Sequence, residues 1–101
     1  MITIGLLGYG TVGHASYAIL EEEKESISKA LGQDFQVKKI LVTDAEKYRN
    51  EEAFNKMTTD VQEIVQDPEI DVIIELTGSV DDMIDPIKEA LSTKKHLVTA
   101  N

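Results

Sequence analysis

The sequence contains no cysteine among its 101 residues, and this absence excludes disulfide bonds and thiolate-ligated metal sites. No apolar run approaches the roughly 20 residues that a membrane-spanning helix needs, and the apolar N-terminal stretch lacks the basic flank of a signal peptide. Basic residues are scarce: 10 lysines and arginines against 19 acidic residues give a net charge of −9. Such a surface repels nucleic acids and anionic lipids. These absences favour a cytoplasmic protein that holds any phosphate ligand by local geometry.

What is present is a chain of ordinary globular composition, since 42% of its residues are hydrophobic and 29% are charged. A length of 101 residues suits a single domain with one core. Apolar, strand-like stretches alternate with helical ones, and that order requires parallel pairing through right-handed crossovers. We therefore predict one Rossmann-type domain over residues 1–101, a doubly wound parallel α/β sheet of about five strands with helices on both faces.

The predicted elements alternate in type along the whole chain. Strands are predicted at 1–8, 35–44, 56–59, 70–78 and 96–99, and helices at 11–31, from Asp60 and at 81–93, with a weakly helical stretch at 45–56. The first helix rests on apolar residues at roughly helical spacing, which are Val12, Ala15, Ile19, Ile27, Ala30 and Leu31. Gly32 would stop that helix, and Asp60 with Glu63 has the spacing of a capping box. Pro86 would kink or restart the last helix.

The segment IGLLGYGTVG, residues 4–13, places Gly8, Gly10 and Gly13 where the first predicted strand turns into the first helix. In that context the G-x-G-x-x-G spacing is typical of a dinucleotide-binding turn. Gly8 would take the positive φ of the turn, Gly10 would leave no Cβ between backbone and ligand, and Gly13 would let helix and strand pack closely. Unpaired N–H groups at the helix start would then bind the pyrophosphate. The alternative is a glycine-rich turn without a ligand.

Four predicted strand ends on one edge of the sheet carry segments rich in polar residues and glycine, and ligands of parallel sheets bind at that edge. The candidate cofactor-binding residues are Gly8, Tyr9, Gly10, Thr11, Val12, Gly13, Asp44, Thr77, Gly78, Ser79, Thr99, Ala100 and Asn101. Tyr9 would either lie against the nucleotide or shield the turn. Asp44 stands where a carboxylate binds the adenosine ribose of NAD. Because Lys47 and Arg49 follow, and either can reach a 2′-phosphate, the sequence leaves both NAD and NADP open.

Three segments, IGLLGYGTVG, DPEIDVIIELTGS and ALSTKKHLVTAN, together resemble the N-terminal nucleotide-binding part of homoserine dehydrogenase. The resemblance covers essentially the whole chain and implies an enzyme of threonine and methionine biosynthesis that interconverts homoserine and aspartate 4-semialdehyde with NAD(P). It implies pyrophosphate contacts from Gly8, Gly10, Thr11, Val12 and Gly13, and places Thr77, Gly78, Thr99 and Asn101 near the ribose and nicotinamide. Two positions depart from the family's usual pattern: Thr43 stands where arginine is common, and Ser79 stands where glycine is common.

The family's substrate and dimerisation domain, with its catalytic lysine and aspartate, is not represented in this sequence. The resemblance therefore implies that this chain alone is a monomer that binds dinucleotide weakly without turning over substrate, and that the full-length enzyme is a homodimer. A stand-alone NAD(H)-sensing regulatory module and a flavodoxin-like interaction domain without nucleotide are the alternatives. No catalytic residue or metal site is predicted, because His14 and His96 are solitary, and Glu75 is expected to make a structural contact.

Overall fold

A computed structural model describes residues 1–78 and 80–99 and contains one sheet of five parallel strands. The strands are β1 (Ile2–Leu7), β2 (Phe35–Leu41), β3 (Met57–Thr58), β4 (Val72–Glu75) and β5 (His96–Thr99). Their spatial order is β3-β2-β1-β4-β5, and every neighbouring pair is parallel. The chain therefore adds strands on one side of β1 and then crosses to the other side. This reversal confirms the predicted doubly wound fold.

Among the described residues, four α-helices connect the strands, together with two 3₁₀ turns at Ala45–Tyr48 and Glu52–Lys56. The helices are α1 (Thr11–Glu22), α2 (Lys24–Leu31), α3 (Gln62–Val65) and α4 (Val80–Ser92). Gly32 ends α2 in the left-handed conformation, with a φ of 78°, as predicted. Pro86 lies within α4, which continues on both sides of it. In the described part of the chain, no helix combines the length and the apolar character needed to cross a membrane.

Two hydrophobic layers, one on each face of the sheet, form the core. Successive side chains of β1 point to opposite faces, so Leu6 lies in the layer toward α1 and α2, whereas Leu7 lies in the layer toward α3 and α4. Residues contributed by the helices are Tyr17, Leu20 and Ile27 in the first layer and Ile64, Val65, Met83 and Ala90 in the second. Helices therefore cover both faces, as predicted.

The prediction of a single helix over 11–31 was wrong in two respects. The helix breaks at Glu23, where φ is −103° and ψ is 21°. Most of the apolar positions that predicted it are exposed, namely Val12, Ala15, Ile19, Ala30 and Leu31. The face toward the sheet instead carries Gly13, Tyr17, Leu20 and Ile27. This face begins with a glycine, Gly13, because the helix lies close to the backbone of Gly8 at that position.

Two strands are shorter than predicted, for a shared reason. Gly8 has a φ of 112°, so β1 turns away after Leu7. Leu41 and Glu75 are both in register with Leu7, and each is the last residue of its strand. The register of β2 and of β4 with β1 ends at these two residues. The sheet edge therefore lies at Leu7, Leu41 and Glu75, so Asp44 comes three residues after the end of β2 and Gly78 three residues after the end of β4.

The predicted capping box at Asp60 forms only in part. The Asp60 carboxylate accepts a hydrogen bond from the Gln62 N–H at 3.0 Å, which caps the turn before α3. The reciprocal bond is replaced, because the Asp60 N–H donates to the Thr58 hydroxyl and that hydroxyl donates to Glu63 at 2.8 Å. Thr58, in the edge strand β3, thus takes the place that the box assigns to the Asp60 backbone.

Candidate functional site

The turn between β1 and α1 has the shape that its glycines predict. Gly8 has a positive φ of 112°, a conformation that residues with a Cβ rarely adopt. A Cβ on Gly13 would lie 2.5 Å from the carbonyl oxygen of Gly8, so α1 approaches the turn more closely than a side chain would allow. Both glycines therefore have the roles predicted from the motif.

The start of α1 faces open space. Gly10 is the N-cap residue, and a Cβ placed there would have no atom within 4 Å. Within the described residues no side chain caps this end, and the first turn holds no acidic residue. The His14 N–H donates to the Gly10 carbonyl at 2.8 Å, so the helical ladder begins there and the N–H groups of Thr11, Val12 and Gly13 have no partner in it. The turn thus offers backbone donors, and the positive end of the helix dipole, to an anion.

A cleft of about 430 Å³ lies over this turn at the carboxyl edge of the sheet. One wall comes from the end of β2 and the loop after it, and the other comes from the loop after β4 and the first part of α4. The lining residues are Gly8, Tyr9, Gly10, Leu41, Val42, Thr43, Lys47, Tyr48, Leu76, Thr77, Asp82 and Met83. The cleft therefore crosses the point where the strand order reverses, which is where dinucleotides bind in doubly wound folds.

Tyr9 is 6% exposed, and its ring is enclosed by other aromatic side chains. Its ring meets those of His14, Tyr17 and Tyr48 edge to face, at centroid distances of 5.0, 6.0 and 5.1 Å. Its hydroxyl donates to Glu51 at 3.2 Å. Burial and, second, the Glu51 carboxylate raise the pKa of Tyr9 to about 12. Of the two predicted roles, this geometry favours shielding the turn, with the Tyr9 ring anchoring it to α1 and the 45–56 segment.

The loop after β2 carries Asp44, Lys47 and Arg49, and their contacts show which of these charged residues faces the cleft. The Asp44 carboxylate accepts from the Glu46 N–H at 3.2 Å and so caps the first 3₁₀ turn, next to the cleft-lining Thr43. Arg49 is bound to the Glu46 carboxylate. Lys47 lines the cleft, with its ammonium 5.5 Å from the ring centre of Tyr48. Lys47 is thus the basic residue that faces the cleft.

The ends of β4 and β5 lie on the other side of the turn. Thr77 lines the cleft, and Gly78 has a φ of 72° with open space where a Cβ would be. The hydroxyls of Thr77 and Thr99 both donate to Glu75, the last residue of β4. Glu75 makes the structural contact predicted for it. The remaining candidates, Ser79, Ala100 and Asn101, lie outside the described residues.

Several residues of the cleft were not predicted from the sequence. They are Leu41, Val42, Tyr48, Leu76, Asp82 and Met83. Leu76 lies directly beside the predicted Thr77, so its place in the chain indicated that it would lie near the site. Tyr48 lies within a polar, weakly helical stretch, and only its contact with the Tyr9 ring brings it to the turn.

A second cleft, of about 550 Å³, opens behind Tyr9 and is lined by α1 and by residues 51–56. It is larger than the cleft over the glycine turn, but its lining carries four glutamates, Glu21, Glu22, Glu51 and Glu52, against one lysine, Lys56. Carboxylates repel a diphosphate, and this cleft lies along α1 rather than at its N-terminus. The charge of the lining therefore favours the cleft over the turn as the candidate anion site.

The histidines do not form a reactive centre. His14 lies in the first turn of α1, and its Nε2 is 3.1 Å from the Glu51 carboxylate at the surface. His96 begins β5 at the opposite edge of the sheet and is exposed. No group of three or more potential metal ligands occurs among residues 1–78 and 80–99.

Comparison with known proteins gives a consistent result. Residues 8–101 match the family described as homoserine dehydrogenase, NAD binding domain. Over 101 residues the chain is 39% identical to homoserine dehydrogenase of Bacillus subtilis, covering 99% of this chain and 23% of that protein. The chain thus spans about a quarter of the length of such relatives.

Solved structures agree with the sequence comparison. A crystal structure of Staphylococcus aureus homoserine dehydrogenase is similar with a TM-score of 0.90 and 40% identity, over 99% of this chain and 26% of the other. Homoserine dehydrogenase of Thiobacillus denitrificans gives the same TM-score at 34% identity, over 99% and 23%. The similarity therefore extends over the sheet, its helices and the glycine turn.

Proposed function

This chain belongs to the homoserine dehydrogenase family, as its NAD-binding domain, and on that premise we propose how its cleft holds the dinucleotide. The pyrophosphate lies over Gly10, where it accepts hydrogen bonds from the N–H groups at the start of α1. The observation that carries this proposal is the open space above Gly10 at a helix start that no described side chain caps. A diphosphate needs both the space and the donors.

The two halves of the dinucleotide then follow from the strand order. The adenosine lies toward β2, where Asp44 stands beside the cleft wall formed by Thr43, Lys47 and Tyr48. The nicotinamide lies across the reversal point, toward Thr77, Gly78 and the end of β5. The candidates outside the described residues, Ser79, Ala100 and Asn101, belong to this second half in the proposal.

Lys47 is the residue that we propose for contact with a 2′-phosphate. It faces the cleft, whereas Arg49 is paired with Glu46. The Asp44 carboxylate acts in the opposite sense, since it repels a 2′-phosphate and accepts hydrogen bonds from ribose hydroxyls. Lys47, in the cleft, thus suits NADP, whereas Asp44, beside the cleft wall, suits NAD.

For the whole protein we propose the activity by which its relatives are named, hydride exchange between a nicotinamide cofactor and the homoserine and aspartate 4-semialdehyde pair. We further propose a homodimeric, cytoplasmic enzyme, in which residues 1–101 form the NAD(P)-binding domain. Mixed with homoserine and NADP, this chain alone is expected to give no reduced cofactor, and appreciable turnover would contradict that proposal.

Calorimetric titration tests the binding site. The chain is titrated with NAD⁺, NADP⁺ and, as the control without phosphate, adenosine. We expect heat from at least one dinucleotide and none from adenosine, because the backbone donors at α1 recognise the phosphates. If neither dinucleotide binds at millimolar concentration, or if adenosine binds as well as both, the proposal fails.

A further inference from the structure

Lys47 lines the cleft over the glycine turn without a carboxylate partner. Across residues 1–78 and 80–99 no salt bridge includes Lys47, whereas Arg49 is bound to Glu46. A lysine ammonium sits on a long, flexible stem, and an exposed lysine that lacks a partner samples many rotamers. The position of the Lys47 ammonium at the cleft therefore depends on another contact.

That contact is the ring of Tyr48. The Lys47 ammonium lies over this ring, 5.5 Å from its centre. An aromatic face attracts a cation within about 6 Å of its centre. Unlike a carboxylate, the ring carries no net charge, so it holds the ammonium without neutralising it. Lys47 therefore keeps its positive charge for an anionic ligand.

The Tyr48 ring is itself fixed to the glycine turn. It meets the Tyr9 ring edge to face, with 5.1 Å between the centroids and 86° between the ring planes. The Tyr48 hydroxyl donates to the Tyr9 carbonyl at 3.4 Å. Tyr9 is only 6% exposed, and its own hydroxyl donates to Glu51. Because Tyr9 belongs to the turn, the ring that carries Lys47 has a defined orientation relative to the start of α1.

The same ring lies on the adenosine side of the cleft. Tyr48 is half-buried, lines the cleft and ends the 3₁₀ turn Ala45–Tyr48, which Asp44 caps. The proposed function places the adenosine ribose beside this turn. A 2′-phosphate on that ribose would meet a cation whose position is already restricted, so less rotamer entropy would be lost when the two groups pair.

We propose that Tyr48 is a positioning residue for recognition of the 2′-phosphate: its ring holds the Lys47 ammonium where the extra phosphate of NADP⁺ binds. The inference rests on the proposed function, which assigns the 2′-phosphate to Lys47. It deepens that function by naming the residue that keeps this lysine at the cleft. Tyr48 itself does not bind the phosphate.

The test is the ratio of the affinities for NADP⁺ and NAD⁺, measured by calorimetric titration. The two ligands differ only in the 2′-phosphate, so general damage to the site cancels in the ratio. Tyr48→Leu removes the aromatic face but keeps an apolar side chain. We expect it to lower the ratio about threefold, the strength of an exposed cation–π contact. Tyr48→Phe keeps the face and should retain the ratio of the unmodified chain.

Two further variants show whether Tyr48 acts through Lys47. In a Lys47→Ala background, Tyr48→Leu should leave the ratio unchanged, because no ammonium remains for the ring to hold. Tyr17→Leu is the matched control. Tyr17 also packs edge to face on Tyr9 and has an ammonium, that of Lys56, 5.1 Å from its ring centre. Because Tyr17 lines the cleft behind Tyr9 instead, its loss should leave the ratio unchanged.

Proton resonances report the contact in the chain without nucleotide. Protons above an aromatic face resonate upfield, so the ε-methylene protons of Lys47 should lie upfield of those of the exposed Lys94. The upfield shift should vanish in Tyr48→Leu and persist in Tyr48→Phe. Since the unmodified chain already gives the first of these results, the measurement does not depend on how well Tyr48→Leu folds.

The outcomes separate this inference from the proposed function. If neither dinucleotide binds the unmodified chain, or if Lys47→Ala keeps its affinity ratio, the proposed function fails and the inference falls with it. If Lys47→Ala lowers the ratio but Tyr48→Leu weakens both dinucleotides equally, the inference alone fails. It also fails if Tyr48→Leu lowers the ratio just as much in the Lys47→Ala background, or if the Lys47 ε-methylene protons resonate with those of Lys94.

Discussion

At the scale of single residues, the three glycines of the turn differ in what a side chain would meet. A Cβ on Gly13 would lie 2.5 Å from the Gly8 carbonyl oxygen, whereas a Cβ on Gly10 would meet nothing within 4 Å. Gly10 also has a φ of −71°, which any residue can adopt. One glycine is therefore required by packing within the chain, and the other leaves space for a ligand.

Two alanine substitutions should separate these requirements. Gly13→Ala should lower the free energy of unfolding by about 1–3 kcal/mol, because the methyl group forces α1 away from the turn. Gly10→Ala should lower it by no more than about 1 kcal/mol, but should weaken dinucleotide binding about tenfold by filling the phosphate space. Urea unfolding and calorimetric titration measure the two quantities. Full binding by Gly10→Ala would show that the phosphates lie elsewhere.

Lys47 and Arg49 give a second pair of matched variants. Lys47→Ala should lower the affinity for NADP⁺ about fivefold and leave the affinity for NAD⁺ unchanged. The effect is modest because solvent and salt screen the interaction between a surface cation and a 2′-phosphate. Arg49→Ala should change neither, since Arg49 is paired with Glu46. Competition binding at low and high salt checks the electrostatic origin. Loss of NADP⁺ affinity in Arg49→Ala alone would contradict the assignment of the 2′-phosphate contact to Lys47.

At the scale of secondary-structure elements, the sheet edge is set by one residue. Gly8 ends β1, and β2 and β4 end in register with Leu7. The sequence predicted the strands from their apolar runs, but not this common limit, because an apolar residue follows it in each strand, Val42 after Leu41 and Leu76 after Glu75. Strand ends depended on a partner that is distant in the chain.

The interior face of the first helix was missed for a related reason. Apolar residues at helical spacing favoured a face containing Val12 and Ile19, yet Val12 is 56% exposed. The true face begins with Gly13 and continues through Tyr17, whose ring packs against Tyr9. Packing against a glycine turn requires a small residue first, and hydrophobic periodicity alone does not register that requirement.

A buried lysine ties two elements together at the opposite edge of the sheet. Lys95 is 6% exposed, and its ammonium donates to the carbonyl of Asp67 and, at 2.9 Å, to that of Ile70. Lys95→Met should lower the free energy of unfolding by about 1–3 kcal/mol, because both carbonyls lose a charged donor. The exposed neighbour provides the control, Lys94→Met, which should change stability by less than about 0.5 kcal/mol. Equal effects in thermal unfolding would contradict the assignment.

At the scale of the whole molecule, charge is distributed unevenly in a way that the net value of −9 conceals. Four glutamates and Lys56 line the cleft behind Tyr9, whereas the cleft over the turn presents backbone N–H groups together with Lys47 and Asp82. Composition predicts a surface that does not bind nucleic acid, and the glycine motif predicts the position of the phosphates. Which charged residues line which cleft depends on long-range contacts, such as the hydrogen bond from Tyr9 to Glu51. No local pattern in the sequence indicates these contacts.

Stability should fall steeply in acid. Burial opposes ionisation of Asp67, but hydrogen bonds from Lys38 and the Glu69 N–H hold its pKa below the usual value, as the threonines do for Glu75. A lowered folded pKa means stability that is complete above the ordinary carboxylate pKa of about 4 and is lost as the pH falls through the folded value. Urea unfolding between about pH 2 and pH 7 should show this loss.

The same titration has an internal control. Removing either carboxylate, in Asp67→Asn or Glu75→Gln, should reduce the proton uptake linked to unfolding by up to about one proton in the acid range. Glu25→Gln, at an exposed position, should leave the pH profile unchanged. If all three variants follow the profile of the unmodified chain, other carboxylates control the acid transition.

The most direct test of the account is to locate the dinucleotide by the amide resonances of the chain. With NAD⁺ or NADP⁺ added, we expect the largest shifts at Gly10, Thr11, Val12 and Gly13, with smaller ones at Thr43 and Thr77 on the two walls of the cleft. Shifts concentrated instead at the glutamate-lined cleft behind Tyr9, with the amides of residues 10–13 unmoved at saturation, would contradict the claim that the start of α1 holds the phosphates.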